Sequence, residues 1–222
     1  MSSRLAVGFP LYHQVPATFF SRWLGMNKNS VTSTVVVNGA YITLSMKAIV
    51  EQALALDTWD RLVIFEHDML PPPEAFERIA QYKPEQAVVG SIYFGHEPPH
   101  TAICYIEKSG TYSAITPQTA QEWCAEPGLY RCDAVGFGFT SIARHVLEDW
   151  DKAIPMFEID DRVGSHDIWF CEKARAQGFS VSVDSALLCE HLSQVAVGLS
   201  HNQDKSHMID GAQIIDFNYE EA

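Results

Sequence analysis

Leu62-Val63-Ile64-Phe65-Glu66-His67-Asp68, followed closely by Pro71-Pro72-Pro73, decides how this chain is read. An unbroken apolar run predicts a strand buried on both faces, as in a parallel sheet covered by helices. Such a strand has no use for charge, yet this one runs straight into two carboxylates. In extended backbone alternate side chains share a face, so Glu66 and Asp68 are expected together at the strand's carboxyl end, with His67 opposite. That edge is where open α/β sheets bind ligands. Two carboxylates held close repel unless a proton or a cation lies between them, and a hard divalent ion carrying a diphosphate suits such a site. A solvated turn, with Asp68 initiating the bend before the prolines, accounts for the same residues without a ligand.

Outward from this strand, the pattern alternates. Residues 4–10 read as a first strand and 16–24 as a short helix with Pro16 in its first turn. Residues 34–37 are a β-branched strand broken by Asn38-Gly39. Residues 44–56 carry Leu44, Ala48, Ile49, Ala53 and Leu56 at helical spacing. Strand 61–65, helix 73–81 with Phe76, Ile79 and Ala80 on one face, and strand 87–94 continue the alternation, which predicts a parallel sheet. The middle differs. Residues 96–112, with Pro98-Pro99, predict a small antiparallel ribbon, and 118–129 read as polar and irregular. Beyond the regular stretch 131–139, helices are expected over 141–147 and 165–177, the latter capped by Ser165 and closed by Gly178. A last strand over 181–186 leads to Leu188-Cys189-Glu190-His191, and the polar tail from about 199 is expected to cover the edge or be partly mobile.

The 222 residues, 47% of them hydrophobic, support one core and a single domain. No apolar run approaches the roughly 18 residues of a membrane span, and Met1-Ser2-Ser3-Arg4-Leu5 lacks a signal peptide's apolar core. A soluble, cytoplasmic protein is expected. Cys104, Cys124, Cys132, Cys171 and Cys189 form no CxxC pair and read as buried thiols rather than a zinc or disulfide framework. A net charge of −13 disfavours non-specific binding to nucleic acid or anionic membrane. Arg4, Arg22, Lys28 and Lys47 are the candidates for a local basic groove, and they are sparse.

Three further places can carry chemistry. Gly136-Phe137-Gly138-Phe139 is either a glycine bend packed by aromatics or a backbone that a sugar approaches closely; it lacks the third glycine of a dinucleotide fingerprint. Asp167, in the first turn of its helix, is either a dipole partner worth about 0.3–1 kcal/mol or a general base facing a cleft, with His166 orienting it or merely exposed. His191 is either structural or a ligand that, with carboxylates, suits Mn²⁺. His96, His100, His201 and His207 read as surface residues.

Taken in order, these pieces resemble the GT-A fold of nucleotide-sugar glycosyltransferases, close in pattern to family 2, from about Leu5 to about Leu192. Residues 59–73 look like the strand ending in a DxD motif, with Glu66-His67-Asp68 in its place. Residues 88–94 resemble the next core strand, 134–139 the glycine loop beside the donor sugar, and 164–179 with His191 the acidic helix, the strand after it and the metal-binding histidine.

The resemblance implies one Rossmann-like α/β domain: a mostly parallel central sheet flanked by helices, with a small antiparallel ribbon. Its nucleotide-binding half is 1–95, its acceptor and catalytic half 96–198, and its tail 199–222. It implies Asp68, His191 and Glu66 at a Mn²⁺ or Mg²⁺ ion, and Asp167 as the base of an inverting transfer. Phe9, Pro10, Tyr12, Asn38, Glu66, His67, Gly136, Phe137 and Gly138 line a UDP- or GDP-type sugar donor. The acceptor is a glycan, a lipid-linked sugar, a protein or a modified nucleic-acid base, and Tyr105, Tyr112, Trp123 and Tyr130 either form a platform for it or pack internally.

The chain departs from the pattern. Glu66 replaces the first aspartate, His166 the acidic residue before the base, and Met46-Lys47 the usual Arg-Asn pair. A nucleotidyltransferase of related sheet needs a glycine-rich basic loop after the first strand, which Phe9-Pro10-Leu11-Tyr12 does not offer. A catalytically inactive nucleotide-sugar-binding domain is the other alternative.

Overall fold

The computed structural model describes residues 2–192 except His13, Glu97 and Pro99, together with the backbone of the short strands Ala196–Val197, His207–Ile209 and Ala212–Ile214. The rest of the expected tail, with His201 and the His207 side chain, lies outside the described residues.

The first half alternates as its sequence predicts: β1 (Leu5–Leu11), α1 (Ala17–Gly25), β2 (Val31–Asn38), α2 (Ile42–Leu54), β3 (Arg61–Phe65), β4 (Met69–Leu70), α3 (Ala75–Ile79) and β5 (Val88–Ile92). The ribbon follows as β6 (Cys104–Lys108) and β7 (Thr111–Ala114), then α4 (Pro117–Ala125), β8 (Leu129–Arg131) and β9 (Ala134–Val135). The chain continues through β10 (Phe139–Ala143), α5 (Arg144–Glu148), α6 (His166–Ala176), β11 (Val181–Leu188) and β12 (Glu190–Leu192). The central sheet runs β2-β1-β3-β10-β5-β11-β8. β1 pairs in parallel with β2 and β3, and β5 with β11. β3 is buried throughout, and its side chains alternate between two cores, Leu62 and Ile64 on one face, Val63 and Phe65 on the other.

The central sheet is mostly parallel, as the sequence predicts, with two exceptions: β10 runs antiparallel between β3 and β5, and β8 antiparallel at the edge beside β11. Three expectations are corrected. Residues 141–143 belong to β10 rather than to a helix over 141–147, and α5 is one short turn after it. Thr140 and Ser141 disguise this strand, but both are fully buried and satisfied: Thr140 donates to the Gly136 carbonyl, and Ser141 accepts from the Arg61 guanidinium. Residues 117–125 form a helix rather than irregular chain, started by Thr116, whose hydroxyl accepts from the Thr119 amide, with Pro117 at its first position. On α2 the buried face is Ser45, Met46, Ile49, Val50 and Ala53, while Leu44 is 58% exposed.

Candidate functional site

The site begins where β3 stops. The Glu66 amide donates to the Gly138 carbonyl at 2.8 Å, and the Met69 amide donates back to the Glu66 carbonyl at 3.2 Å. Glu66-His67-Asp68 is therefore a turn, not an extended strand end, and the expected alternation of faces does not apply. The turn delivers the chain into β4, which pairs with β12 so that His191 stands opposite Met69. The Leu192 amide donates to the Asp68 carbonyl at 2.6 Å. This small sheet is what carries residue 191 back to residue 68.

The result is a directed contact. His191 Nε2 lies 3.4 Å from Asp68 Oδ2. Its Nδ1 lies 2.8 Å from the Phe94 carbonyl, which only accepts, so Nδ1 donates there and Nε2 is the nitrogen turned toward Asp68. A backbone carbonyl holding the far nitrogen is the usual support of a metal-ligating histidine. Among the described residues, Asp68 Oδ1 is buried without a partner, as is His67 Nδ1. His96 was expected at the surface alone; its ring, though exposed, lies 3.6 Å centroid to centroid from that of His191. One ligand atom from each of Asp68, His96 and His191 lies within 4.8 Å of the others. An unsatisfied carboxylate oxygen beside imidazole nitrogens is a donor set that fits a divalent cation. Glu66 is outside this group.

The electrostatics bind the cluster into one site. Burial, then the charges of Asp68 and Asp167, push the Glu66 carboxyl up to about 8. Burial works to raise Asp68 too, but His191, by hydrogen bond and charge, and His67 outweigh it and hold Asp68 below the usual carboxylate range. Tyr12 is pushed up to about 12 by burial, then by Glu66 and Asp68. Tyr93 is raised by burial, then by Glu66 and Asp167. Asp167 itself is raised by burial, against the opposing pull of His166 and backbone amides.

Asp167 sits at the start of α6. Ser165 occupies the N-cap position but does not cap: its hydroxyl donates to Asp167 Oδ1, which also accepts the Ile168 amide at 2.8 Å. The serine thus holds the carboxylate rather than the helix. His166 packs edge-on to Phe137, and its buried Nε2 has no partner among the described residues.

The remaining candidates separate by accessibility. Asn38 is exposed at the carboxyl end of β2, level with Leu11, and the Tyr12 ring lies 5.7 Å from that of His67. Phe9 is buried among Phe19, Trp23 and Phe65, and Pro10 is a buried strand residue. Gly136, Phe137 and Gly138 are buried. A Cβ on Gly136 would strike the Tyr93 hydroxyl and Ile103, and one on Gly138 would strike Met69 and Tyr93. These glycines make room for Tyr93, whose hydroxyl accepts the Gly138 amide at 3.2 Å. Trp123 and Tyr130 stack on each other at 4.6 Å, and Tyr112 is engaged by Arg175 and Glu172. Tyr105 is pushed up to about 12 by burial, then by the charge of Asp167. Arg4, Arg22 and Lys47 pair with Asp60, Glu190 and Glu51, and Lys28 binds carbonyls at the end of α1, so the four form no groove. No helix among the described residues is long and apolar enough to cross a membrane.

No protein-family model and no curated protein matches the chain. Solved structures do. The structure of "A197 from STIV" superimposes with a TM-score of 0.66 at 15% identity, over 97% of this chain and 95% of that one. The structure of "GalNAc-T7 with UDP, GalNAc and Mn2+" superimposes with a TM-score of 0.58 at 10% identity, over 86% of this chain but only 43% of that one. Likeness at these identities establishes a GT-A-like, glycosyltransferase-like fold.

Proposed function

We propose that this chain is a metal-dependent glycosyltransferase that moves a sugar from a nucleotide-diphospho sugar of UDP or GDP type to an acceptor hydroxyl. The observation that carries the reading is the Asp68–His191 contact at the carboxyl edge of the sheet, beside His96, with a buried oxygen of Asp68 unpartnered among the described residues. A solved protein of like fold holds UDP, GalNAc and Mn²⁺.

Residues 1–95 form the nucleotide half and residues 96–198 the acceptor half in this reading. Asp68 and His191 hold the ion, and Tyr12, Asn38 and His67 border the nucleotide. The ion, when bound, neutralises charge on the departing nucleoside diphosphate. Asp167 takes the acceptor's hydroxyl proton as that oxygen attacks the anomeric carbon from the face opposite the leaving group. The new C–O bond forms as the bond to the diphosphate breaks, so configuration inverts. Burial makes Asp167 a stronger base than a free aspartate, which suits proton abstraction near neutral pH. Ser165 and the Ile168 amide fix its carboxylate.

The test is release of nucleoside diphosphate from UDP-, GDP- and CDP-sugars with Mn²⁺. Slow, metal-dependent release from one donor, abolished in Asp68→Ala, is expected. Absence of nucleotide-sugar binding with or without metal overturns the reading.

A further inference from the structure

The geometry points to His96 as a third protein ligand of the ion, making a centre of two imidazoles and one carboxylate that takes a first-row transition ion in preference to Mg²⁺. The inference rests on the function proposed above and goes beyond it in naming the ligand and the class of metal.

His96 is placed by the fold, not by chance. The chain leaves β5 through Tyr93 and Phe94, and a bridge between Phe94 and Ala102 closes the base of the following loop. The Gly95 amide donates to the Thr101 carbonyl at 3.0 Å, and His100 Nδ1 lies 2.9 Å from the Gly95 carbonyl. His96 is the next residue along. Phe94 therefore does two things: its carbonyl orients His191, and the backbone continuing from it sets His96 over the same imidazole. The two rings are tilted by only 34°. The ligand-atom spread of 4.8 Å leaves a small closure for a shared ion, and an exposed side chain can make it.

The chemistry follows from the donors. Mg²⁺ keeps its waters and prefers oxygen ligands. Imidazole nitrogens favour later first-row ions, in the order Mn²⁺ below Fe²⁺ below Co²⁺. A centre with one carboxylate and two imidazoles is biased toward that series, and each nitrogen added strengthens the bias. Without His96 the site keeps one of each donor and discriminates less.

Co²⁺ titration followed by visible ligand-field absorption tests this on the whole chain, with no activity needed. The wild type is expected to bind one Co²⁺ with a saturating band that a hundredfold excess of Mg²⁺ does not displace. His96→Ala is expected to bind Co²⁺ at least about tenfold more weakly, with an altered band. Metal-free melting of His96→Ala at the wild-type temperature shows that the loss is not one of folding. An unchanged affinity and band in His96→Ala overturns the inference while leaving Asp68 and His191 as ligands. Displacement by Mg²⁺ overturns the selectivity. If the wild type binds neither Co²⁺ nor Mn²⁺, the function proposed above falls with it.

Discussion

Two sets of partly or wholly buried charge lie on this sheet, and they are treated oppositely. Away from the Glu66 turn, Asp184 is fully buried, and every oxygen is used: Arg78 donates to both, at 2.5 and 2.8 Å, Tyr82 donates at 2.5 Å, and the Ala186 amide donates at 3.0 Å. Arg61, 2% exposed and without a carboxylate, donates instead to Ser141 and to the carbonyls of Lys83, Gln86 and Ala87. At the carboxyl edge, Asp68 Oδ1, His67 Nδ1 and His166 Nε2 are buried and unpartnered among the described residues, and Glu66 is pushed toward its neutral form. A buried polar group without a partner costs about 1–3 kcal/mol. The saturated set holds the fold together; the unsatisfied set leaves donors and acceptors that a bound ligand can complete.

That contrast can be broken by substitution. Asp184→Ala should cost about 2–4 kcal/mol in urea unfolding, because the buried Tyr82 hydroxyl loses its partner and Arg78 its two hydrogen bonds. While folded it should still bind metal and nucleotide. Asp167→Asn should lower transfer by about 10²–10⁴-fold, with donor affinity and melting temperature near wild type, as measured by product formation and calorimetry. Asp68→Ala should change metal-free stability by no more than about 1 kcal/mol, yet abolish the rise in melting temperature that Mn²⁺ gives the wild type.

The smallest effect is expected at Glu172, another saturated carboxylate. Burial works to raise it, but Arg162 and Lys173 hold it down at about 2. A depressed carboxyl contributes stability above its unfolded value of 4.5, and loses it as pH falls from there toward 2. Glu172→Gln should therefore cost about 0.5–1 kcal/mol at pH 7, and chemical unfolding should show the gap closing below pH 4.5.

The sequence made part of this contrast visible. The apolar runs announced β1, β3 and β5, because a strand buried on both faces excludes polar residues; half-exposed β2 showed through its β-branched residues and α2 through helical spacing. β10 was hidden for the opposite reason. Thr140 and Ser141 find their partners in the Gly136 carbonyl and Arg61, and neither pairing can be read from local pattern. The start of α4 was legible in Thr116-Pro117, but the polar residues after it masked the cap. Asp68, His191 and Asp167 stood out as carboxylates and an imidazole at element ends. His96 did not, since its place beside His191 depends on the Phe94–Ala102 bridge and on β12 returning to β4. The glycines were legible as a close approach, and within the fold the side chain packed against them is Tyr93.

The most direct test is calorimetric titration of UDP and GDP into the purified chain, with and without Mn²⁺, alongside Asp68→Ala. Saturable binding of one nucleotide that requires Mn²⁺ and disappears in Asp68→Ala is the expected result. No binding of either nucleotide, or binding that survives both the removal of metal and the loss of Asp68, would contradict the account.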